Sequence, residues 1–228
     1  MGIKRIYDRL FEEYGSQGWW PVTPVGGCKG VKPEGPIYGV ALKNEKQKIE
    51  IIFGAILTQN TSWKNVEKAI ISLNNEDLIN VDKIIKIDKT ELAAVIKSAG
   101  YYNQKALKLK NIAEFLKKYP IKALENMELG KARELLLAVN GVGPETADSI
   151  LLYALNKPIF VVDAYTKRMF DNLGLIKKDD SYDNVQEFFM KNLPADAKLF
   201  NEYHALIVEH AKRYYSKKPY GTKCFLRG

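Results

Sequence analysis

The four residues from Asn140 to Gly143, two of them glycine, constrain the fold of this chain more than any other segment. An apolar helical stripe ends near Val139, and another begins at Pro144, which suits a first helical position because its missing N–H would have no partner there. Glycine permits a positive φ and leaves the backbone uncovered. The sequence therefore predicts two helices joined by a tight hairpin, with N–H groups beside the positive end of a helix dipole. Such a turn binds anions, and a DNA phosphate fits it.

The charge of the chain is compatible with that partner. Its 228 residues carry a formal net charge of +8, and Lys and Arg that neutralise phosphates gain free energy by releasing counterions. A lysine-rich composition that reflects AT-rich codons would give the same excess, so charge alone does not decide. No apolar run approaches the ~20 residues that span a bilayer, and the N-terminus lacks the apolar core of a signal peptide. We therefore expect a cytoplasmic, nucleoid-associated protein that does not enter a membrane.

Helical periodicity extends along most of the chain and predicts an all-α fold class. A long last helix is expected from about Ala197 to Tyr215. Pro158–Val162 is interpreted as an extended buried connector, and Gly15–Asn44 as a loop with a small irregular hairpin. Five lysines between residues 105 and 118 lie off an apolar stripe and are interpreted as a solvated face, with contact to DNA as the alternative.

One carboxylate stands out downstream of the hairpin. Asp163 follows the apolar pair Val161-Val162, lies twenty residues beyond Gly143 and precedes a predicted helix. Taken alone, it is an N-cap aspartate, worth ~1 kcal/mol of helix stability. Its position after a phosphate-binding hairpin raises the alternative that it is catalytic.

Three segments together resemble the helix-hairpin-helix DNA glycosylases related to endonuclease III. They are the pattern L-x-x-x-x-G-V-G-x-x-T-A with its following aspartate, Gly54–Trp63, and His204–His210. The resemblance covers nearly the whole chain. It implies two helical domains flanking a DNA-binding cleft. Residues 45–157 would form a central helical bundle ending in the hairpin, and residues 1–44 plus 158–228 a second helical domain carrying Asp163.

The resemblance also implies roles for particular residues. Asp163 would stabilise the positive charge that builds on the sugar as an N-glycosidic bond breaks, after the base has been flipped out of the duplex. Gln59 matches the family position whose side chain fills the gap left by that base, although Gln59-Asn60 also reads as an ordinary polar helix end. The residues expected to contact DNA are Gly141, Val142, Gly143, Thr146, Gln59 and Asn60.

The chain departs from the family pattern at two places, which bear on the reaction and on the cofactor. Bifunctional members carry a lysine two residues after the second hairpin glycine, which attacks the sugar; here that position is Glu145, so we expect base excision by water with weak or absent AP lyase activity. Lys167 is a neighbouring lysine that would have to replace it.

Many relatives also hold an iron–sulfur cluster on four cysteines, whereas this chain has only Cys28 and Cys224. We expect no cofactor and no metal, with the two thiols free and a disulfide between them left open.

The target base is predicted from short segments in several parts of the chain. Trp19-Trp20-Pro21, Leu57–Thr61, Tyr101–Ala106 and Glu145 resemble the branch that removes 3-methyladenine and other alkylated purines. Trp19, Trp20 and Glu145 would then line the base pocket, where aromatic faces attract a cationic purine; the alternative is that the tryptophans anchor a loop to the core. Two other functions stay open: a bifunctional glycosylase acting on oxidised or mismatched pyrimidines, and a DNA-binding protein without chemistry. The expected partner is double-stranded DNA with a damaged base, bound by a monomer.

Overall fold

The structure is a computed structural model that describes residues 2–25 and 35–227. Its secondary structure is helical, which confirms the predicted fold class. In chain order the helices are α1 Ile3–Tyr14, α2 Glu45–Leu57, α3 Trp63–Asn75, α4 Val81–Lys86, α5 Lys89–Val95, a 3₁₀ turn Lys97–Ala99, α6 Tyr102–Lys118, α7 Ile121–Asn126, α8 Leu129–Leu137, α9 Pro144–Ser149, a π-helical segment Ile150–Ala154, α10 Ala164–Asn172, α11 Tyr182–Asn192 and α12 Ala197–Tyr214. Among the described residues, none of these helices has the length and apolar character that crossing a bilayer requires.

In the Gly- and Pro-rich region before α2, the described residues 20–25 and 35–44 form one antiparallel bridge. Val22 N donates to Ile37 O at 3.1 Å, and Ile37 N donates to Val22 O at 2.9 Å. This agrees with the small irregular hairpin expected there. Cys28 lies outside the described residues.

The chain divides into two compact units. The central unit is Trp20–Leu155, and the terminal unit combines Met1–Trp19 with Asn156–Gly228. Residues 20–25 and 35–44 therefore belong to the central unit, whereas the sequence analysis grouped them with the chain termini. The reason is local bonding: Thr23 N donates to the buried carboxylate of Glu50 on α2 at 2.7 Å, and Gln47 Nε2 donates to Thr23 O at 3.1 Å.

The central unit is built around α2. This helix is buried on every side from Ile49 to Leu57, as expected for a helix that is apolar all round. The π-helical segment Ile150–Ala154 is likewise buried at every residue.

An aromatic core organises the terminal unit. The Phe160 ring stacks on Phe189 with centroids 3.9 Å apart, and Tyr203 meets both rings edge-on. Phe160 belongs to the extended connector, whose residues Ile159 to Val162 are buried as predicted. Gln186 Nε2 donates to Phe160 O at 2.6 Å, so the buried backbone of the connector has a partner.

The lysine face predicted on α6 is only partly solvated. Lys105 is 2% exposed, and its Nζ donates to Leu57 O and Ala99 O, both at 2.8 Å. Lys110 Nζ donates to the carbonyls of Ile84 and Ile85 near the end of α4. These lysines bind the carbonyls where helical segments end, which is the favourable place for a positive charge.

Candidate functional site

The predicted hairpin is present in the central unit. α8 ends at Leu137, α9 begins at Pro144, and Val142 N donates to Val139 O at 3.0 Å to close the turn. Gly141 has a φ of +97°, and a Cβ at this position would lie 2.4 Å from Cγ of Lys108. Both the conformation and the space therefore require glycine there.

The second glycine has a different role. Gly143 has a φ of −96°, which any residue adopts, and a Cβ there would meet nothing within 4 Å. Ala147 N donates to Gly143 O at 2.9 Å. The N–H groups ahead of Ala147 therefore point out of the first turn. Gly143 leaves this helix start uncovered, and the arrangement can accept an anion.

A partly buried ion pair joins the two hairpin helices, and sequence patterns gave no signal for it. Arg133 Nε on α8 donates to Asp148 Oδ1 at 2.8 Å, and Arg133 Nη2 donates to Asp148 Oδ2 at 3.2 Å. The Asp148 side chain is fully buried. A two-point guanidinium–carboxylate contact fixes orientation as well as distance, so the pair sets the position of α9 against α8.

The side chains predicted around the turn are not equally accessible. Val142 and Thr146 are buried, at 7% and 6% exposure, and Val142 N is already bonded to Val139 O, so neither side chain is accessible to a phosphate. Glu145 is exposed on the first turn of α9, where a negative charge complements the helix dipole.

Gln59 lies against the hairpin. Its Nε2 donates to Gly141 O and to Thr146 Oγ1, both at 3.0 Å, and its Oε1 accepts a hydrogen bond from Lys108 Nζ. Asn60 is exposed and has a φ of +53°. The structure thus brings Gln59 to the hairpin and leaves Asn60 at the surface.

Asp163 in the terminal unit is the N-cap of α10. Its Oδ1 accepts hydrogen bonds from Thr166 N at 2.7 Å and Thr166 Oγ1 at 2.8 Å. The side chain is 16% exposed. The capping role that the sequence analysis weighed is therefore real, but it uses only one of the two carboxylate oxygens.

The second oxygen of Asp163 faces a residue whose role the sequence analysis did not identify. His204 Nε2, on α12, lies 3.9 Å from Asp163 Oδ2. Burial lowers the pKa of His204, and the negative charge of Asp163 offsets this only in part. The imidazole is therefore neutral at neutral pH. His204 lies in a segment that resembles the family, but no sequence pattern shows that α12 brings it to Asp163.

The two tryptophans differ in environment. Trp20 is 8% exposed in the central unit, with its ring centroid 5.5 Å from that of Trp63 and 5.3 Å from that of Tyr153. A Cβ on Gly54 would lie 3.0 Å from Trp20 Cζ2. Trp20 is thus packed into the core of its unit, whereas Trp19 in the terminal unit is only half-buried.

The C-terminal segment is held by packing and hydrogen bonds. Cys224 is a buried free thiol whose Sγ accepts a hydrogen bond from Tyr215 Oη at 3.3 Å and lies 3.1 Å from His210 Nε2. His210 Nδ1 lies 2.8 Å from Tyr14 Oη on α1. Two cysteines do not fit an iron–sulfur cluster, which needs four thiolates. No group of three or more metal-binding side chains occurs among residues 2–25 and 35–227.

Residues 53–195 match the HhH-GPD superfamily of base excision DNA repair proteins. The chain is 45% identical to a provisionally named DNA repair glycosylase of Methanocaldococcus jannaschii, over 97% of this chain and 92% of the relative. It is 31% identical to endonuclease III of Sulfolobus acidocaldarius, over 77% of this chain and 78% of that protein.

A solved structure of high similarity is the 3-methyladenine DNA glycosylase of H. pylori bound to 1,N6-ethenoadenine. The TM-score is 0.71 with 29% identity, and the match covers 93% of this chain and 98% of that one. A trapped endonuclease III–DNA covalent intermediate also has a TM-score of 0.71, at 20% identity, and covers 98% of this chain and 92% of its own. The second likeness concerns the fold alone.

Proposed function

The chain belongs to the HhH-GPD superfamily of base excision DNA repair proteins and is a DNA glycosylase, and we propose that it is a monofunctional one that excises alkylated purines such as 3-methyladenine. It would act on double-stranded DNA as a monomer and without a cofactor.

The residue that carries the monofunctional assignment is Glu145. It occupies the position at which bifunctional relatives have their nucleophilic lysine, and its exposed carboxylate on the first turn of α9 cannot form an imine with the sugar. Water then attacks the sugar carbon that the base has left. This supports base release without strand cleavage.

Asp163 supplies the electrostatic part of the reaction. As the N-glycosidic bond breaks, the base leaves with the bonding electrons and positive charge builds on the sugar. The Thr166 contacts hold Oδ1, so the carboxylate has a fixed orientation. Because His204 is neutral, the charge of Asp163 is not cancelled by a cation at Oδ2. A preorganised negative charge of this kind stabilises an oxocarbenium-like state and can orient a water.

An alkylated purine suits a site with little provision for acid catalysis. N-alkylation makes the base cationic, so it is already a good leaving group and does not need protonation by the enzyme. The likeness to the H. pylori 3-methyladenine glycosylase, at 29% identity over 93% of the chain, supports the same substrate class.

Of the two tryptophans, Trp19 is the better candidate for contact with the base. It is only half-buried, and an aromatic face attracts a cationic purine. Trp20 packs against Trp63 and Tyr153, which supports the anchoring alternative for that residue.

A panel of duplexes, each with one defined lesion, tests the proposal. Base release is measured with and without alkaline treatment, which cuts the strand at abasic sites. We expect release from 3-methyladenine duplex and strand breaks only after alkali. Release confined to oxidised pyrimidines, or strand breaks without alkali, would overturn the proposal.

The second candidate is an endonuclease III-like glycosylase with lyase activity on oxidised or mismatched pyrimidines. The 31% identity to endonuclease III of Sulfolobus acidocaldarius favours it, and its nucleophile would be Lys167, four positions after Asp163 in the sequence. Borohydride reduction during the reaction distinguishes the two, because only an imine intermediate is trapped as a covalent protein–DNA adduct.

A further inference from the structure

One carboxylate on α12 anchors the loop that follows α1. Glu202 Oε2 accepts a hydrogen bond from Ser16 Oγ at 2.8 Å, and Glu202 Oε1 accepts one from Gln17 N at 2.5 Å. Hydrogen bonds to an ionised acceptor are among the stronger ones in proteins, and two of them on one carboxylate fix a direction as well as a distance. Glu202 therefore sets where this loop lies on the helix.

The loop needs an anchor because two glycines flank the bonded pair. Gly15 and Gly18 have φ values of +64° and +62°, and glycine loses more conformational freedom on ordering than any other residue. Gln17 Nε2 donates to Tyr14 O at 3.2 Å and to Gly15 O at 3.1 Å, both at the end of α1. These two bonds close the loop on itself, whereas the bonds to Glu202 join it to another helix.

The helix that carries Glu202 is itself well fixed within the terminal unit. The neighbouring Tyr203 is fully buried, and its Oη donates to Ile3 O on α1 at 2.6 Å. The next residue, His204, faces Asp163 with its Nε2 3.9 Å from Oδ2. Groups on a packed helix are positioned more precisely than groups on a loop. Helix α12 therefore contacts both Asp163 and the loop after α1.

We propose that Glu202 is a positioning residue for base recognition, because it holds the loop that sets the orientation of the Trp19 ring towards the damaged base. Trp19 directly follows Gly18 and is only half-buried. Attraction of a cation by an aromatic ring requires the cation to lie over the ring face, so a loop released from α12 would weaken it. The inference rests on the proposed function and deepens it, since it assigns a residue that governs selectivity for cationic, alkylated purines.

The first measurement needs no substrate. Hydrogen exchange, followed by mass spectrometry, reports the order of the segment 15–19 in the free protein. Glu202→Ala loses both contacts and should raise the exchange rate of this segment by about tenfold. Glu202→Gln should stay within about twofold of wild type, because its Oε1 can accept from Gln17 N while its Nε2 donates to the hydroxyl of Ser16.

The second measurement is base release from 3-methyladenine duplex in a single turnover. Glu202→Ala should lower the release rate by about tenfold, and Glu202→Gln should retain it within about twofold. Affinity for undamaged duplex should change by less than about twofold in both variants, because phosphate contacts do not involve this loop. General damage to the fold would lower both properties together.

A double-mutant cycle with Trp19→Ala tests the route by which Glu202 acts. If Glu202 acts through Trp19, adding Glu202→Ala to Trp19→Ala should lower base release by less than about a further twofold. The matched control is Glu209→Ala on the same helix. Its carboxylate is bonded to Arg213 Nε and Nη2, at 2.9 and 2.6 Å, so its loss should leave loop exchange and base release at the wild-type level.

Two results would overturn the inference alone. They are unchanged exchange of the segment 15–19 in Glu202→Ala, or fully additive losses of base release in the double variant with Trp19→Ala. Wild-type protein that releases no base from 3-methyladenine duplex would instead contradict the proposed function, and the assignment of Glu202 to base recognition with it.

Discussion

His204 Nε2 lies 3.9 Å from Asp163 Oδ2, while both hydrogen bonds from Thr166 reach Asp163 Oδ1. The two oxygens of one carboxylate therefore have separate environments. Oδ1 caps α10, and Oδ2 faces a buried imidazole. Burial lowers the pKa of this imidazole. A neutral neighbour leaves the charge of the carboxylate available, whereas an imidazolium at this distance would offset much of it.

Replacing Asp163 by Asn separates capping from catalysis. Asparagine caps helices as well as aspartate does, so the melting temperature should change little. Base release should fall at least about a hundredfold, as when a preorganised electrostatic group is removed from an active site. Single-turnover release and DNA binding by fluorescence anisotropy measure the two properties. Full activity in Asp163→Asn would reject the mechanism; a wild-type protein that binds DNA but releases no base from any lesion would favour the non-catalytic alternative.

We predict that His204 acts indirectly as a positioning residue, because its neutral ring leaves the charge of Asp163 intact. His204→Gln should retain most base release, while His204→Lys should reduce it by about tenfold or more because a cation is placed beside Asp163. Since the pKa of His204 is lowered, wild-type activity should decline on the acid side, below about pH 6.5. The Gln variant should lack this decline. An identical pH profile in His204→Gln and wild type would contradict the prediction.

Acid should destabilise the protein through its two histidines. Burial, with a smaller contribution from the Arg213 charge, lowers the pKa of His210 to about 4, and burial lowers that of His204. The unfolded chain takes up these protons near pH 6.5 and the native state does so only at lower pH. Stability is therefore complete above pH 6.5 and is lost as pH falls towards 4. We expect roughly 2 kcal/mol from His210 after allowance for solvent screening.

Urea unfolding at pH 7 and pH 4.5 measures that loss of stability. The control is His210→Gln, which cannot titrate, and whose stability should therefore depend less on pH than that of the wild type. Equal pH dependence in both proteins would show that the pKa of His210 is the same in the native and unfolded states, and would contradict the prediction.

The two hairpin glycines should respond differently to alanine. Gly141→Ala forces a positive φ on a residue with a Cβ and a clash with the Lys108 stem, so we expect a loss of about 2–4 kcal/mol in the free energy of unfolding. Gly143→Ala should stay within about 0.5 kcal/mol of wild type. It should nevertheless weaken DNA binding, because a methyl group then covers the helix start. Equal melting temperatures for the two variants would contradict the steric argument.

The tryptophans provide a further pair. Trp20→Ala removes a buried ring from the central unit and should cost about 3–5 kcal/mol. Trp19→Ala should lower the rate of base release from 3-methyladenine duplex and change the melting temperature little. If Trp19→Ala releases base at the wild-type rate, Trp19 does not contact the base.

Features encoded by neighbouring residues could be predicted from the sequence. The last helix, expected from about Ala197 to Tyr215, spans Ala197–Tyr214, and α9 begins at Pro144 as expected. Asp88 caps α5 through Thr90 N and Glu91 N. Caps, proline positions and apolar periodicity are local, so they can be recognised without knowing which helices pack together.

Contacts between distant residues could not be predicted in the same way. Gln59 and Gly141 are 82 positions apart, and nothing near either residue shows that they are bonded. Lys105 occurs among other lysines, which favours a solvated face, yet it is buried against two carbonyls. Likewise, His204 could be recognised as part of a motif, but its approach to Asp163 depends on how α12 packs against α10.

The π-helical segment Ile150–Ala154 has a consequence for how lengths of related chains can vary. Leu155 N donates to Ile150 O at 3.2 Å, five residues back, so this turn holds one residue more than an α-turn. Deleting a single residue here would restore α-helical winding and leave the residues on either side facing as they do now, because the wide turn already accommodates the extra residue. A relative one residue shorter in this segment therefore needs no compensating insertion, and alignments of the family should show isolated single-residue gaps at this turn.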